Sequence, residues 1–340
     1  MNYLMREVLP GLKEGWKILA SEIAGLISSA FGTTYFVDGD DGSDSNAGLS
    51  PADAKKTIQG AVDVATHWDT IIVKALDMAS GATDPSSYAE NIVVPATCEG
   101  LRIIGDSYIN RTQGGLPQLK VGAVTTQALI TVRAPGVTIA GLGINGVGGT
   151  GGGIKLDDDG STKTAFGTSI LGCHLKNCVG STATDCKTGA AIMLAGAPWQ
   201  VRISGNRFYK NVGDIVATAT YVDAKDVTID GNLFSGSAAA TDCNIYMVGT
   251  GGDADGLVIA DNFFPAMPAL SGGAVKRYVD LTGYTGMMAR NYFGSIVSPT
   301  GSAGTFAADG TLAKIPATVF IASCWGETTT TGETGEIFRT

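Results

Sequence analysis

The chain has 340 residues, a net charge of −9, 48 glycines and only 16% charged side chains. This excess of negative charge argues against a basic surface that could bind duplex nucleic acid, so we expect no nucleic-acid partner. No apolar run approaches the ~18 residues that suggest a membrane-spanning helix, so we expect no membrane span. Glycine is about twice as frequent as its usual ~7%, which indicates many short strands joined by tight turns.

The six cysteines and two histidines are scattered along the chain. No C-x-x-C pair occurs, so the spacing of a structural zinc site is absent. Scattered cysteines in a chain of this size are typical of small buried apolar side chains, and a disulfide framework is the weaker alternative. We therefore expect no metal and no cofactor.

Residues 1–32 differ from the rest of the chain, because their apolar residues follow a heptad spacing that predicts an α-helix with one apolar seam. The seam consists of Leu9, Leu12, Trp16, Leu19, Ile23 and Leu26. Glu14, Lys17 and Glu22 interrupt the apolar stretch that a secretory signal peptide needs. The polar face also lacks the basic character of a membrane-surface helix. The segment is predicted to attach to other proteins or to copies of itself, and packing on its own domain is the alternative.

A short strand over 33–38 and a polar loop come next, followed by a predicted helix over 55–66. Ser50 or Asp53 is the expected N-cap of this helix. One face of the helix is apolar. It is formed by Ile58, Ala61, Val62 and Ala65.

This opening region resembles a known group of proteins. The motifs are Tyr35-x-Val37-Asp38, Gly42-x-Asp44-x-Asn46-x-Gly48-Leu49-Ser50 and Lys56-Thr57-Ile58-Gln59-x-Ala61-Val62. They make the chain similar to pectate-lyase-like right-handed parallel β-helix proteins, which include phage tailspikes and polysaccharide lyases. The resemblance implies that the helix caps the first coil and covers its core. A Ca²⁺ site is the alternative for the acidic loop over 38–46, but self-capping turns are more typical of this composition.

One eight-residue sequence motif, called the phrase below, recurs at intervals of about thirty residues, a repeat length typical of solenoid proteins. Its copies lie at 101–108, 137–144, 168–175, 201–208, 227–234, 257–264 and 286–293. Because side chains alternate between the two faces of a strand, the first, third and eighth positions of the phrase should point inward. A Gly–Asn corner between them allows a sharp bend. Like positions should then stack ~4.8 Å apart, which predicts an asparagine ladder beside a phenylalanine stack. The members are Asn206, Asn232, Asn262 and Asn291, and Phe208, Phe234, Phe264 and Phe293.

These patterns predict an all-β fold, a right-handed parallel β-helix (a solenoid) with an N-terminal α-helix and a capping helix. The expected organisation is a helical attachment or oligomerisation segment at 1–32 and an opening and capping region at 33–100. Parallel β-helix coils follow at 101–297, and a C-terminal cap or tail occupies 298–340. Within this tail, residues 318–325 are expected to form one more apolar strand, which protects the end of the solenoid.

The seventh position of the phrase points outward and becomes apolar near the end of the repeat. Its members are Gly143, His174, Arg207, Leu233, Phe263 and Tyr292. Contiguous apolar surface commonly marks an interface, so Leu233, Phe263 and Tyr292 are candidate binding residues. Three β-helices pack side by side in the resembling tailspikes, which implies a homotrimer. An aromatic platform for sugar rings is the alternative.

No group of residues predicts a catalytic site. A glycosidase needs two carboxyl groups ~5–9.5 Å apart, and the candidate carboxylates lie mostly in segments typical of solvated turns. They are Asp157, Asp158, Asp159, Asp185, Asp214, Asp223, Asp226, Asp253 and Asp255. Only His67 and His174 could assist a nucleophile, and no Gly-x-Ser-x-Gly elbow occurs.

The preferred hypothesis is a non-enzymatic virion structural protein, such as a phage tail spike, tail fibre or head-decorating protein. It would attach to other virion proteins through residues 1–32 and contact a host surface glycan. The alternative is a polysaccharide lyase or glycoside hydrolase on the same scaffold. A third hypothesis is a glycan-binding module that is extracellular or at the cell surface. Fold alone does not choose among them.

Overall fold

A computed structural model describes most of the chain after residue 31. The described residues are 32–78, 86–106, 115–160, 164–182, 185–196, 198–217, 224–234, 243–249, 254–264, 277–294, 306–307, 313–327 and 334–336. Within them, strands form three sheets of ten, nine and ten strands. Between residues 70 and 314 the chain passes repeatedly through sheet A, then sheet B, then sheet C. The chain is therefore a right-handed parallel β-helix, as the sequence predicts.

Sheet A contains β1 Thr34–Val37, β2 Thr70–Val73, β5 Arg102–Gly105, β8 Thr138–Ala140, β11 Ser169–Leu171, β14 Arg202–Ser204, β17 Thr228–Asp230, β20 Leu257–Ala260, β23 Gly286–Ala289 and β27 Val319–Ala322. Sheet B contains β3 Ser87–Ala89, β6 Gln118–Lys120, β9 Gly143–Asn145, β12 His174–Lys176, β15 Arg207–Tyr209, β18 Leu233–Phe234, β21 Phe263–Phe264, β24 Tyr292–Phe293, β28 Trp325–Glu327 and β29 Thr334–Glu336. Sheet C contains β4 Ile92–Val94, β7 Ile130–Val132, β10 Ile154–Leu156, β13 Ile192–Leu194, β16 Gly213–Ala217, β19 Cys243–Met247, β22 Arg277–Asp280, β25 Phe306–Ala307 and β26 Ala313–Lys314.

The corner between sheets A and B explains the repeated phrase. Gly205 and Gly231 take left-handed φ angles of 65° and 63° at this corner, a conformation that costs a glycine little. The next residue is the ladder asparagine. Asn206, Asn232 and Asn262 each donate a side-chain N–H to the Oδ1 of the asparagine one coil further on, at 3.1, 3.0 and 2.9 Å. The predicted ladder is confirmed.

The phenylalanine stack lies inside the coils and is also confirmed. Ring centroids of Phe208 and Phe234 are 4.9 Å apart, those of Phe234 and Phe264 4.5 Å, and those of Phe264 and Phe293 4.7 Å. The third position of the phrase is equally buried, and Ile139, Ile170 and Ile203 align across adjacent strands. Period-two alternation on stacked strands therefore builds one continuous core.

The helix that closes the first coil is shorter than predicted. α1 spans Ile58–Val62, and Thr57 caps it by accepting the N–H of Gly60 at 2.9 Å. The predicted caps are therefore wrong: Ser50 precedes a separate 3-10 turn, Pro51–Asp53, without a side-chain cap bond. The reason is that Lys55 lies extended beside β1, with its N–H donating to Phe36 O at 2.9 Å. The helix cannot begin until the chain has left this strand-like pairing.

The apolar face predicted for this helix is buried, and α1 contacts β1, β2 and β4. The helix therefore covers the first coil, as the family resemblance implies. The acidic loop before it binds the chain's own donors. Asp44 Oδ1 accepts the N–H groups of Lys56 and Thr57 at 3.0 and 2.9 Å, and Asp38 pairs with Lys74 at 2.7 Å. These contacts fit self-capping turns.

The stack of coils continues beyond the seven phrases. In sheet A, β2 pairs in register with β5, and β27 pairs in register with β23. Cys324 occupies the ladder position of this last coil, 3.7 Å from Asn291 Nδ2. Among the described residues no helix is both long and apolar enough to cross a membrane.

Candidate functional site

A cleft lies on the outer face of sheet C in the later coils, with a volume of about 250 Å³. Its lining residues come from parts of the chain that are distant in sequence. They are Lys187, Cys243, Tyr246, Arg277, Asp280 and Lys314. Three cationic side chains therefore meet one carboxylate in a chain whose net charge is −9.

The register of sheet C places three of these residues in one outward column. Tyr246 on β19 aligns with Asp280 on β22, and Asp280 aligns with Lys314 on β26. Their neighbours on the strand point inward, because Ile245, Val279 and Ala313 are fully buried in the core. Strand alternation thus turns the column outward. Arg277 joins from the start of β22, where it aligns with Cys243.

Lys187 reaches the cleft from a 3-10 turn, Cys186–Thr188, that packs against β16. Asp185 caps this turn by accepting the N–H of Lys187 at 2.9 Å. Cys186 is buried in a small apolar cluster on the outer face of sheet C, together with Met193 and Val216 from the sheet strands. The turn approaches so closely that a Cβ at Gly213 would lie 2.6 Å from Cys186 Cβ. Glycine at 213 therefore allows Lys187 to reach the cleft.

The charges of the cleft are only partly matched within the protein. Arg277 Nη1 lies 3.9 Å from Asp280 Oδ2, while Asp280 Oδ1 accepts the hydroxyl of Thr282 at 2.7 Å. Arg277 Nε is buried and has no hydrogen-bond partner among the described residues. Lys187 Nζ lies 5.8 Å from the Tyr246 ring centroid, within cation–π range.

This arrangement can hold an anion beside an aromatic ring. Guanidinium and ammonium groups form strong, charge-assisted bonds with carboxylates. A cleft of about 250 Å³ is smaller than the ~300–1,000 Å³ of most small-molecule sites. Its size therefore suits a single small charged unit.

The three residues predicted to form a binding stripe lie in one column on sheet B, and their role in binding stays a prediction. Leu233 aligns with Phe263, and Phe263 aligns with Tyr292. Phe263 is 44% exposed. His174 belongs to the same outward column but is covered rather than solvated, at 4% exposure. The seam residues of the predicted attachment helix, Leu9 to Leu26, lie outside the described residues.

Of the carboxylates considered from the sequence, those that belong to the described residues do not line the cleft. Asp157 pairs with Lys155 at 2.9 Å, and Asp158 accepts the N–H of Gly160 at 2.9 Å. Asp214 is buried and accepts side-chain N–H groups from Asn211 and Asn244 at 2.9 and 2.7 Å. These three have structural partners, whereas Asp223 and Asp253 lie outside the described residues.

Sequence reasoning missed every residue of the cleft. Arg277, Asp280 and Lys314 lie outside the recurring phrase, on the sheet C strands, where the sequence has no comparable periodic signal. A search for charged residues flanked by buried aliphatic residues, as in Val279-Asp280-Leu281, could have indicated an outward polar position. It could not have shown that Lys187 lies near Lys314.

Comparison with known proteins finds no matching family model, and no curated protein matches in sequence. Solved structures with a similar chain path include an alginate lyase from Paenibacillus sp. str. FPU-7, with a TM-score of 0.49 and 14% identity over 78% of this chain and 95% of that chain. A pectin methylesterase from Aspergillus niger has a TM-score of 0.39 and 13% identity, covering 90% of this chain and 89% of that chain. A pectate lyase has a TM-score of 0.39 and 10% identity, covering 88% and 77%.

At this level of similarity the comparisons concern the coiled architecture alone. No residue role is carried over from these proteins to the cleft. They give no support to the phage tailspike type, to a virion or to a trimer.

Proposed function

We propose that this chain binds an acidic polysaccharide along the outer face of sheet C. The observation that carries the proposal is the convergence of Lys187, Arg277 and Lys314 on one small cleft of an acidic protein. A neutral ligand would leave the excess of cations over the single carboxylate Asp280 without a counterpart, whereas a uronate carboxylate matches it. Tyr246 adds an apolar ring against which a sugar can pack.

The cleft residues also indicate which cleavage chemistry is compatible with such binding. Hydrolysis by paired carboxylates needs a second acid ~5–9.5 Å away, and Asp280 is the single carboxylate among the described lining residues. β-Elimination from a uronate needs cations on the carboxylate and a group that moves the C5 proton. In that reaction the C5–H bond breaks, a C4–C5 double bond forms, and the C4–O bond to the leaving sugar breaks with protonation of its oxygen.

Arg277 and Lys314 would neutralise the uronate carboxylate, while Lys187 and Tyr246 carry exchangeable protons on the neighbouring side of the cleft. A lyase therefore fits these residues better than a glycoside hydrolase. Binding is the primary proposal, and elimination is its enzymatic extension.

Titration calorimetry with sodium alginate and polygalacturonate, and with dextran as the neutral probe, tests binding. We expect Arg277→Gln and Lys314→Gln each to weaken polyuronate binding by between about tenfold and about a hundredfold, because each loses one charge-assisted contact that contributes ~1.5–3 kcal/mol. Lys120→Gln, which changes an exposed cation on sheet B, is the matched control. Equal binding of dextran, or unchanged affinity in both cleft variants, would exclude the proposal.

Ultraviolet absorbance of the unsaturated product tests cleavage in the same mixtures. An increase with the wild type that disappears in Tyr246→Phe or Lys187→Met would assign elimination to the cleft. Binding without new absorbance or new reducing ends would limit the function to recognition.

A second candidate is the virion structural protein, attached through residues 1–32 and trimeric. The apolar column of Leu233, Phe263 and Tyr292, in which Phe263 is exposed and the other two are half-buried, favours it, because a solitary solenoid would be expected to have a polar surface there. Its location would be the virion, with the extracellular space or cell surface as the alternative. Light scattering of the full chain tests this candidate, since a monomer at micromolar concentration contradicts a trimeric spike.

A further inference from the structure

The outer face of sheet C is covered in the earlier coils and opens only where the cleft begins. Met193, Val216 and Tyr246 align on three adjacent strands and form one outward column. Met193 and Val216 are 8% and 0% exposed, so other parts of the chain cover them. Tyr246 is half-buried and lines the cleft. The cover therefore ends between β16 and β19, and the cleft starts at that point.

The cover is formed by the described residues between 179 and 190, called the wall below. Val179, Cys186 and Ala190 pack in the same apolar cluster as the covered residues of the column. The turn Cys186–Thr188 contacts β16, and Lys187 on this turn lines the cleft. The wall is therefore the boundary of the cleft on the side of the earlier coils.

Hydrogen bonds hold the wall in place at its start and across its middle. Val179 O accepts the N–H of Gly152 on the preceding coil at 3.1 Å. The Thr188 hydroxyl accepts the N–H of Thr182 at 3.1 Å and lies 3.0 Å from Asp185 O. The wall is thus part of the folded coil, and protein rather than solvent occupies the space beyond the cleft in this direction.

The cations of the cleft lie on two sides of the space in front of the wall. Lys187 belongs to the wall, whereas Arg277 and Lys314 lie on β22 and β26. Arg277 Nε is buried and has no hydrogen-bond partner among the described residues, so it offers a donor to a ligand carboxylate. A volume of about 250 Å³ suits one charged sugar unit between these groups. Along the column, the next sugar can then lie only on the side away from the wall.

We propose that the cleft accepts the terminal unit of an acidic polysaccharide chain and that the wall excludes any further unit beyond Lys187. An internal unit has neighbours on both sides, whereas the column leaves room on one side of Lys187. The inference rests on the proposed function, because it concerns the same cleft and the same ligand. It adds that the number of binding sites on a polysaccharide follows the number of chain ends and not the chain length.

Titration calorimetry of the full chain with trigalacturonate and with long polygalacturonate tests this inference. We expect one protein molecule per chain with both ligands, because each chain has one end of each kind. Partial acid hydrolysis of a fixed mass of polygalacturonate should raise the number of binding sites in proportion to the new reducing ends. A chain that lies across the strands would instead pass the wall, and several protein molecules would then bind each long chain.

The role of the wall in placing Lys187 has a separate test. Thr188→Val keeps the shape of the side chain but removes the hydroxyl that braces the wall, and we expect it to weaken trigalacturonate binding about fivefold. Lys187→Gln should weaken binding by between about tenfold and about a hundredfold in the wild type. The same change should cost less in Thr188→Val, because the lysine is then no longer held at the cleft.

Thr228→Val, an equivalent substitution on the outer face of sheet A, is the control and should leave binding unchanged. Circular dichroism verifies that each variant is folded. Equal losses from Lys187→Gln with and without Thr188→Val would overturn the positioning role of the wall.

The stoichiometry separates this inference from the proposed function. Binding in which the number of protein molecules per chain rises with chain length would leave the proposed function intact and overturn terminal recognition. Absence of binding to both galacturonates would overturn the two together.

Discussion

Asn232 Nδ2 donates to Asn262 Oδ1 at 3.0 Å, and the same Oδ1 accepts the backbone N–H of Asn232 at 2.9 Å. The Asn262 carboxamide thus accepts two hydrogen bonds from the preceding coil. Asn232 also donates to Ile203 O at 2.9 Å, so the side chain joins three coils. Its burial at 2% exposure leaves no water to replace these bonds.

We expect Asn232→Leu to lower the free energy of unfolding by ~1–3 kcal/mol, because buried donors and acceptors lose their partners. Thermal and urea unfolding measure this loss. Thr228→Val, at a half-buried outward position of the same coil, is the control and should change stability little. An unchanged thermal midpoint in Asn232→Leu would mean that the ladder does not stabilise the coils.

The corner residue before the ladder offers a paired prediction. Gly231 has φ 63°, and an added Cβ would meet no atom closer than 3.9 Å. Gly231→Ala should therefore lose only the ~1–2 kcal/mol that a left-handed conformation costs a residue with a side chain. Ser323 occupies the equivalent corner with φ 50°. Ser323→Gly should gain about 0.5–1 kcal/mol, since relief of this conformation exceeds the extra entropy of the unfolded glycine.

Urea unfolding of both variants checks the pair. Opposite signs are required, because Gly231→Ala adds a Cβ at a left-handed corner and Ser323→Gly removes one at the equivalent corner. A stability change of the same sign in both would contradict the conformational explanation.

The ion pair between Asp38 and Lys74 predicts a pH dependence. Burial raises the pKa of Asp38, but the hydrogen bond from Lys74 and the N–H groups of Asp41 and Asp40 outweigh burial and hold this pKa below its ordinary value. A depressed pKa stabilises the folded state above the unfolded pKa of ~3.9. This contribution is lost as the pH falls through the folded pKa.

Lys74→Met should therefore be less stable than the wild type near neutral pH, and the difference should vanish in acid below the folded pKa of Asp38. Urea unfolding of both proteins at a series of pH values, from about 7 to below the folded pKa of Asp38, measures this convergence. Lys56→Met, at an exposed position in the same region, should show no such convergence. A difference that persists unchanged in acid would assign the effect of Lys74 to packing instead.

The cysteines predict low chemical reactivity. Burial raises the pKa of the Cys173 thiol to about 11 and that of Cys178 to about 12, and thiolate is the reactive form. All six thiols are free and buried. Ellman's reagent should therefore react slowly with the folded chain and rapidly with six equivalents in guanidinium. A fast phase in the folded protein, or fewer than six equivalents without reductant, would contradict this arrangement.

The sequence alone determined the coil and its inner ladders, because these features repeat. Asn206, Asn232, Asn262 and Asn291 recur in one phrase, and a solenoid converts sequence period directly into spatial alignment. The same period predicted the outward column at Leu233, Phe263 and Tyr292, but the phrase ends at Phe293 and does not show that Trp325 aligns with Tyr292.

Only the tertiary structure decided the composition of the cleft and the start of α1. Lys187, Arg277 and Lys314 belong to no repeated phrase, and their proximity depends on loop lengths and on the close approach at Gly213. Likewise, Ser50 satisfies the local preference for a helix cap, yet pairing of Lys55 with β1 delays the helix to Ile58. Local propensity and periodicity are properties of neighbouring residues, whereas these contacts join segments that only the folded coils bring together.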